Sequence, residues 1–261
     1  MLVEQSAYVL HSRPYKETSA LVTLFSAEQG KFNAIIRSVR GSKKAHLKAA
    51  LLQPFQQLQL SWRQKAHQDL VSLNTIESGD LRFPLHGETA VCGLYSNELL
   101  YRLLYPNVSY DNLFQDYCDL LYYLAQLQFE EVSIQQRKQA WALRWFELRL
   151  LNGLGHGFNL EQDCHHQPIE ASRTYLFYPE YGFEVLTDFA ADQAFLQIPG
   201  ECLLQLRSLL TEDLSAIELG VPCLKTLRVL MSQSLQPYLG DRPIQARLLL
   251  GRNPSQPDKL S

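Results

Sequence analysis

No stretch of this 261-residue chain approaches the roughly twenty consecutive apolar residues that a membrane-spanning helix requires, so a bilayer span is not expected. The opening MLVEQSAYVL lacks a basic n-region, a long apolar core and a small-residue cleavage site, so it does not read as a secretory signal and the expected compartment is the cytoplasm. Cysteine is scarce: five residues, an odd number, widely spaced and without one CxxC pair, which argues against a disulfide framework. Cys92 and Cys118 fall within apolar helical patterns and read as small core residues. There is no GxxxxGK[ST] loop to hold a nucleotide and no HExxH to frame a catalytic metal. GLGHGF, 153–158, has GxGxG spacing and follows a helical pattern, so it reads as a helix stop and not as a dinucleotide fingerprint. Internal repeats are also missing, and only the tail RNPSQPDKLS, about 252–261, has a disordered composition.

The most informative absence is local. From Gln29 to Gln68 there is no Asp or Glu, while Lys31, Arg37, Arg40, Lys43, Lys44, Lys48, Arg63 and Lys65 all fall in that span. A whole-chain net charge of -3 conceals this. Residues 1–82 hold eleven basic and six acidic side chains, a net of +5, against thirteen and twenty-one, a net of -8, in the remainder.

The same boundary separates two periodicities. LQLSW, 58–62, alternates strictly, and short β-rich runs recur at 7–10, 19–25, 31–36 and 70–76 with turn residues between several of them. Five such strands in so short a span predict a small closed or nearly closed barrel, because an open sheet of that size leaves its edges unprotected. After Phe83-Pro84 the apolar spacing becomes helical: Val91 to Leu104, Leu113 to Leu124, and Trp141 to Leu151 ahead of three glycines. Further helices are expected over 199–211 and 222–237, the latter closed by Pro237. The fold class is therefore α+β: a barrel over 1–82, then a helical domain over 83–261.

On a strand, Arg37 and its neighbours share one face, and Gly41-Ser42 is expected to open a mobile loop bearing Lys43, Lys44 and Lys48. That arrangement suits an irregular polyanion backbone. Neutralising phosphates releases counterions, so the contact is electrostatic and blind to sequence. Small barrels of this type pair a basic groove with aromatic platforms on which bases stack. Phe32, Phe55 and Trp62 are available, although Trp62 shares its face with Leu58 and Leu60 and reads more readily as core.

YVLHSRPYKETSALVTLFSAEQGKFNAIIRSVRGSKKAHLKAALLQPF, 8–55, resembles the opening of the bacterial recombination mediator family RecO. YSNELLYRLL (95–104), RWFELRLLNGLGHGFNLEQDC (144–164), YPEYGF (178–183) and LQPYLGDRPIQAR (235–247) resemble it in the same order. The resemblance implies an N-terminal oligonucleotide/oligosaccharide-binding (OB) barrel, a helical domain and a small irregular, zinc-finger-like module at about 155–195. It also implies a non-enzymatic role in DNA repair and recombination: binding single- and double-stranded DNA, annealing strands and, with RecR, helping to load the recombinase onto DNA coated with single-strand-binding protein. Arg37, Arg40, Lys43, Lys44 and Lys48 are the expected phosphate contacts, flanked by Lys31, Arg63 and Lys65. Members of the family engage the acidic, apolar C-terminal tail of single-strand-binding protein in the helical domain. Arg144, set among large apolar residues in AWALRWFELR, is the expected cation at the rim of such a groove. Its bland reading is a helix arginine paired with a neighbouring acid.

Some members carry two CxxC pairs in the irregular module, a four-thiolate set suited to structural zinc. Here the first pair is reduced to Cys164, with Gln167 in the second position, and no cysteine follows YPEYGF. No cofactor is therefore expected, hydrogen bonding and packing replacing the metal. A mixed site from Cys164, His165, His166 and His156 is the remaining zinc alternative. Two rival functions stand beside the main reading: an RNA-binding barrel, and a metal-dependent hydrolase using His156, Cys164, His165 and His166. Glu98 and Glu147 read as solvated or ion-paired carboxylates, and no residue is assigned to catalysis.

Overall fold

The computed structural model describes residues 2–41, 43–63, 70–187, 195–214 and 220–250. Five strands, β1 (Leu2–Tyr15), β2 (Ser19–Ser26), β3 (Gly30–Ile36), β4 (Gln56–Arg63) and β5 (Leu70–Arg82), close a barrel in the order β1-β2-β3-β5-β4. All pairings are antiparallel except β3 with β5. Closure follows from β1, whose first half pairs with β4 and whose second half pairs with β2, the register shifting between Val9 and His11. Alternation fills the interior with Val9, Val22, Leu24, Phe32, Ala34, Leu60 and Trp62, all at most 2% exposed.

The stretch expected to be a loop is helical: α1 spans Lys43–Leu51. KKAHLKAAL holds three alanines, two leucines and three lysines and no β-branched residue, so propensity carries the helix once Gly41, at φ 95°, has turned the chain.

The chain divides into two compact units, 1–128 with 243–261, and 129–242. In the first, α2 (Gly87–Leu103) and α3 (Asp111–Leu127) cover part of the barrel's outside. Tyr8 and Phe25 meet Phe114 and Tyr117 there, with ring centroids 5.4–6.2 Å apart. At the β1 irregularity, Asn97 Nδ2 donates to the Val9 carbonyl (3.3 Å), and the Tyr117 hydroxyl donates to Asn97 Oδ1 (2.6 Å). The short helix α7 (Gln245–Leu250) returns to α2, where Glu98 accepts the Gln245 and Ala246 backbone N–H groups at 3.0 and 3.1 Å. Glu98 thereby caps α7 while pairing with Arg102.

The second unit holds α4 (Val132–Gly153), the sheet β7-β6-β8 (β6 Thr174–Tyr178, β7 Gly182–Val185, β8 Gln197–Pro199), α5 (Gly200–Ser208) and α6 (Val221–Leu239). Two expectations change here. Helix α6 runs through Pro237 and stops at Gly240, φ 63°, because a proline in a last turn forfeits one hydrogen bond without ending the helix. Cys202 and Cys223 form a disulfide, with Cα atoms 5.3 Å apart. They occupy the first turns of α5 and α6, and packing brings together residues whose sequence separation of 21 gave no sign of pairing. Among the described residues, no helix is long and apolar enough to cross a membrane.

Candidate nucleic-acid interface

Register places an outward-facing floor on the barrel. Ala20, Val22 and Leu24 point into the core, so Leu21 and Thr23 point out, together with the residues opposite them. One row is His11, Thr23 and Asn33; the next is Arg13, Leu21 and Ile35. Thr23 Oγ1 donates to Asn33 Oδ1 at 2.8 Å, tying the first row together. On β3 the outward positions are Lys31, Asn33 and Ile35, and Arg37 follows two residues on, just past the strand end.

This floor ends in a cationic rim. The β1–β2 turn carries Lys16, with Glu17 beside it, and lies against the segment leaving β3: Val39 N donates to the Thr18 carbonyl (2.8 Å). Arg40 Nη2 donates to the carbonyls of Lys16 (2.6 Å) and Ser19 (3.1 Å). Arg13, Lys16, Arg37, Arg40 and Lys43 are all exposed. None of the five forms an ion pair among the described residues. Arg13 and Lys16 are absent from the sequence-derived set. HSRPYK reads as a break after a short strand, whereas β1 continues through Pro14 to Tyr15 as an exposed ribbon that pairing, not burial, maintains. The signal that finds them is positional: in OB barrels the β1–β2 loop flanks the binding face.

The remaining expected contacts are distributed differently. Lys31 lies five residues from the Ile36 end of β3, roughly 17 Å at strand rise. Its Nζ donates to the Tyr101 carbonyl at 2.8 Å, and burial holds its pKa below the usual lysine value, so it ties β3 to the end of α2 instead of standing free. Lys48, in the last turn of α1, is half-buried. Arg63 is exposed at the end of β4, opposite Leu2. The Lys44 side chain and Lys65 lie outside the described residues, as does the tail 252–261. The aromatic candidates are core: Phe32 and Trp62 are 1% and 0% exposed with rings 5.3 Å apart, and Phe55 is also buried. Alternation along β3 and β4 sends Phe32 and Trp62 inward, whereas Phe55 precedes β4 at φ 66° and is buried beside Gly93 of α2.

Arg144 is not at a rim. Its side chain is 6% exposed, and Nε and Nη2 reach the two carboxylate oxygens of Glu147, each at 2.6 Å. Nearly every residue from Trp141 to Leu151 is buried, so α4 keeps an arginine there only with a bidentate acid one turn away.

In the irregular module, the atoms that converge are Cys164 Sγ, His165 and Glu184, within 4.8 Å of one another. His156 instead stacks on Tyr238 at 4.1 Å, so the mixed cysteine–histidine set expected from sequence is not assembled. Three donors, with His165 Nε2 already 3.3 Å from Glu184, do not fit a four-coordinate structural zinc. Burial first, then the Glu184 and Asp163 carboxylates, push the Cys164 thiol pKa up, away from the thiolate a metal needs. The module is knit by other means. Asp163 Oδ1 accepts the His165 and Gln167 backbone N–H groups at 2.9 Å, and Phe158, Phe177 and Phe183 cluster beneath.

Comparison with known proteins adds a lineage to this geometry. The family model described as Recombination protein O N terminal matches residues 1–81, and the one described as Recombination protein O C terminal matches 85–247. A protein named DNA repair protein RecO from Pseudomonas paraeruginosa is 38% identical over 256 residues, 97% of each chain. Its namesake from Stutzerimonas stutzeri is 37% identical over 258 residues, covering 95% of this chain and 93% of that one. The one from Coxiella burnetii is 32% identical over 247 residues, 94% and 97% of the two chains.

Proposed function

Because this chain belongs to the RecO family of DNA repair proteins, we propose that it is a non-enzymatic recombination mediator. It binds single- and double-stranded DNA, anneals complementary strands and, with RecR, helps the recombinase onto DNA covered by single-strand-binding protein. DNA handling is assigned to the barrel, 1–82, and the contact with the tail of single-strand-binding protein to the helical body, 83–261. The observation that carries this reading is the outward strand face of β1, β2 and β3 ending in the exposed Arg13, Lys16, Arg37, Arg40 and Lys43.

The physics is electrostatic. Two strands repel through their phosphates, and cations presented to both lower that barrier without bond making or breaking. Lys48, Arg63, Lys44 and Lys65 extend the positive field of the same barrel. In the helical body, a partner's acidic tail engages Arg144 only by competing with Glu147, so this contact requires the pair to open.

The test is an annealing assay titrated with salt, run on bare strands and on strands coated with single-strand-binding protein with and without its tail. Annealing that weakens with salt, and that on coated strands depends on the tail, is the expected result. Replacing both members of the buried pair, Arg144→Met with Glu147→Leu, removes both charges together and should affect coated strands only. Salt-independent annealing, or a strong preference for RNA over DNA of equal length, overturns the reading.

A further inference from the structure

At the end of the strand floor remote from the cationic rim, two rings meet. His11, exposed on β1, lies against Tyr101 of α2, with centroids 4.9 Å apart and planes inclined by 31°. Tyr101 is 40% exposed. Lys31 fixes its position: Nζ holds the Tyr101 carbonyl at 2.8 Å and stands 6.0 Å from the ring centroid. The loop after α2 adds a second tether, as Asn107 N donates to the Lys31 carbonyl (2.8 Å) and Gln29 Nε2 to Asn107 Oδ1 (2.9 Å). These two accessible rings, one of them held by a lysine, contrast with Phe32 and Trp62, which the barrel encloses. A residue from the helical part of the chain thus completes the outer face of the barrel.

We propose that His11 and Tyr101 form a base-stacking platform that receives an unpaired base of single-stranded DNA whose phosphates lie along the cationic rim. This rests on the DNA-binding reading above and adds what charge cannot supply, discrimination between strand states. Phosphates are present in single strands and duplexes alike, whereas only a single strand offers a free base face to a ring. His11, Thr23 and Asn33 form one cross-strand row and Arg13, Leu21 and Ile35 the next, so the platform and the rim lie on one continuous face. Lys31 gives the base end of this track a positive charge without an acidic partner among the described residues. The occupant is a polyanion with exposed π-faces, and single-stranded DNA is the one consistent with a DNA repair family.

The test measures Tyr101→Ala, Tyr101→Phe and wild type against three probes at one salt concentration: a thymidine oligomer, an abasic oligomer of equal length and a duplex. One lost stacking contact predicts a weakening of about 5- to 150-fold for Tyr101→Ala on the thymidine oligomer. Tyr101→Phe, which keeps the ring, should stay within about twofold of wild type, and abasic and duplex affinities should not change. An unchanged thymidine affinity in Tyr101→Ala, or an equal loss on the abasic strand, overturns the platform. The underlying charge reading fails separately, when removing Arg13, Arg37 and Lys43 leaves abasic binding intact.

Discussion

The salt dependence of single-strand binding follows from counting cations on the barrel rim. Five exposed side chains, Arg13, Lys16, Arg37, Arg40 and Lys43, form no ion pair among the described residues, so each offers an uncompensated charge to a phosphate, Arg40 through the guanidinium N–H groups that the Nη2 bonds to the Lys16 and Ser19 carbonyls leave over. At roughly -0.7 per phosphate for single strands, five contacts give a slope of about -3.5 in log affinity against log salt. Raising salt from about 50 to 200 mM then weakens binding about 130-fold. Removing Arg13, Arg37 and Lys43 together leaves two contacts, a slope of about -1.4 and only a roughly sevenfold loss over the same range. The assay is fluorescence anisotropy on a labelled thymidine oligomer at four or five salt concentrations. The control is Arg173→Ala, since Arg173 already pairs with Glu170 at 3.1 Å on the second unit, and its slope should match wild type. A triple variant that loses affinity but keeps the full slope refutes the reasoning, because it means the three residues support the fold and not the phosphates. So does an Arg173→Ala variant whose slope falls equally.

Two further outcomes follow from the interior of the first unit. Gly30 sits at φ 66° with the Val108 carbonyl oxygen 1.7 Å from where a Cβ would be, so Gly30→Ala should lower stability by about 2–4 kcal/mol in urea unfolding; a loss under about 0.5 kcal/mol contradicts the close approach. Cys118 has its pKa pushed up to about 11, first by burial, despite a contact with the Tyr8 hydroxyl at 3.8 Å that acts the other way. The protonated thiol is the favoured form, so its contribution to stability is complete below the usual 9.0 and is lost as pH rises towards 11. In a Cys164→Ser background with the disulfide intact, alkylation of folded Cys118 should accelerate only in that window; a midpoint near 9 refutes the burial argument.

What was legible in the sequence was whatever repeats with a period. The alternation at Leu58, Leu60 and Trp62 marked β4 and its inward face, and the helical spacing from Val91 and from Leu113 marked α2 and α3. The runs without a period are where the structure departs from expectation. The second half of β1 is polar on both sides because it is a ribbon, and α1 follows Gly41-Ser42, which reads as a break. Residues that meet only through packing left no trace: Cys202 with Cys223, and His11 with Tyr101 across 90 positions of chain. Charge was legible as a cluster but not as a geometry. The absence of acids between Gln29 and Gln68 identified the barrel's field, yet Lys31 belongs to a tether and Arg13 and Lys16, outside that window, belong to the rim.

The return of α7 to α2 makes the first unit discontinuous, with residues 129–242 inserted between its two parts. During synthesis the barrel can close once β5 has emerged, but Glu98 waits for Gln245 and Ala246 until the whole insert has left the ribosome. Completion of the N-terminal half therefore follows synthesis of the insert, and a product truncated before α7 is distinguishable from one that contains it by an uncovered acidic side chain on α2.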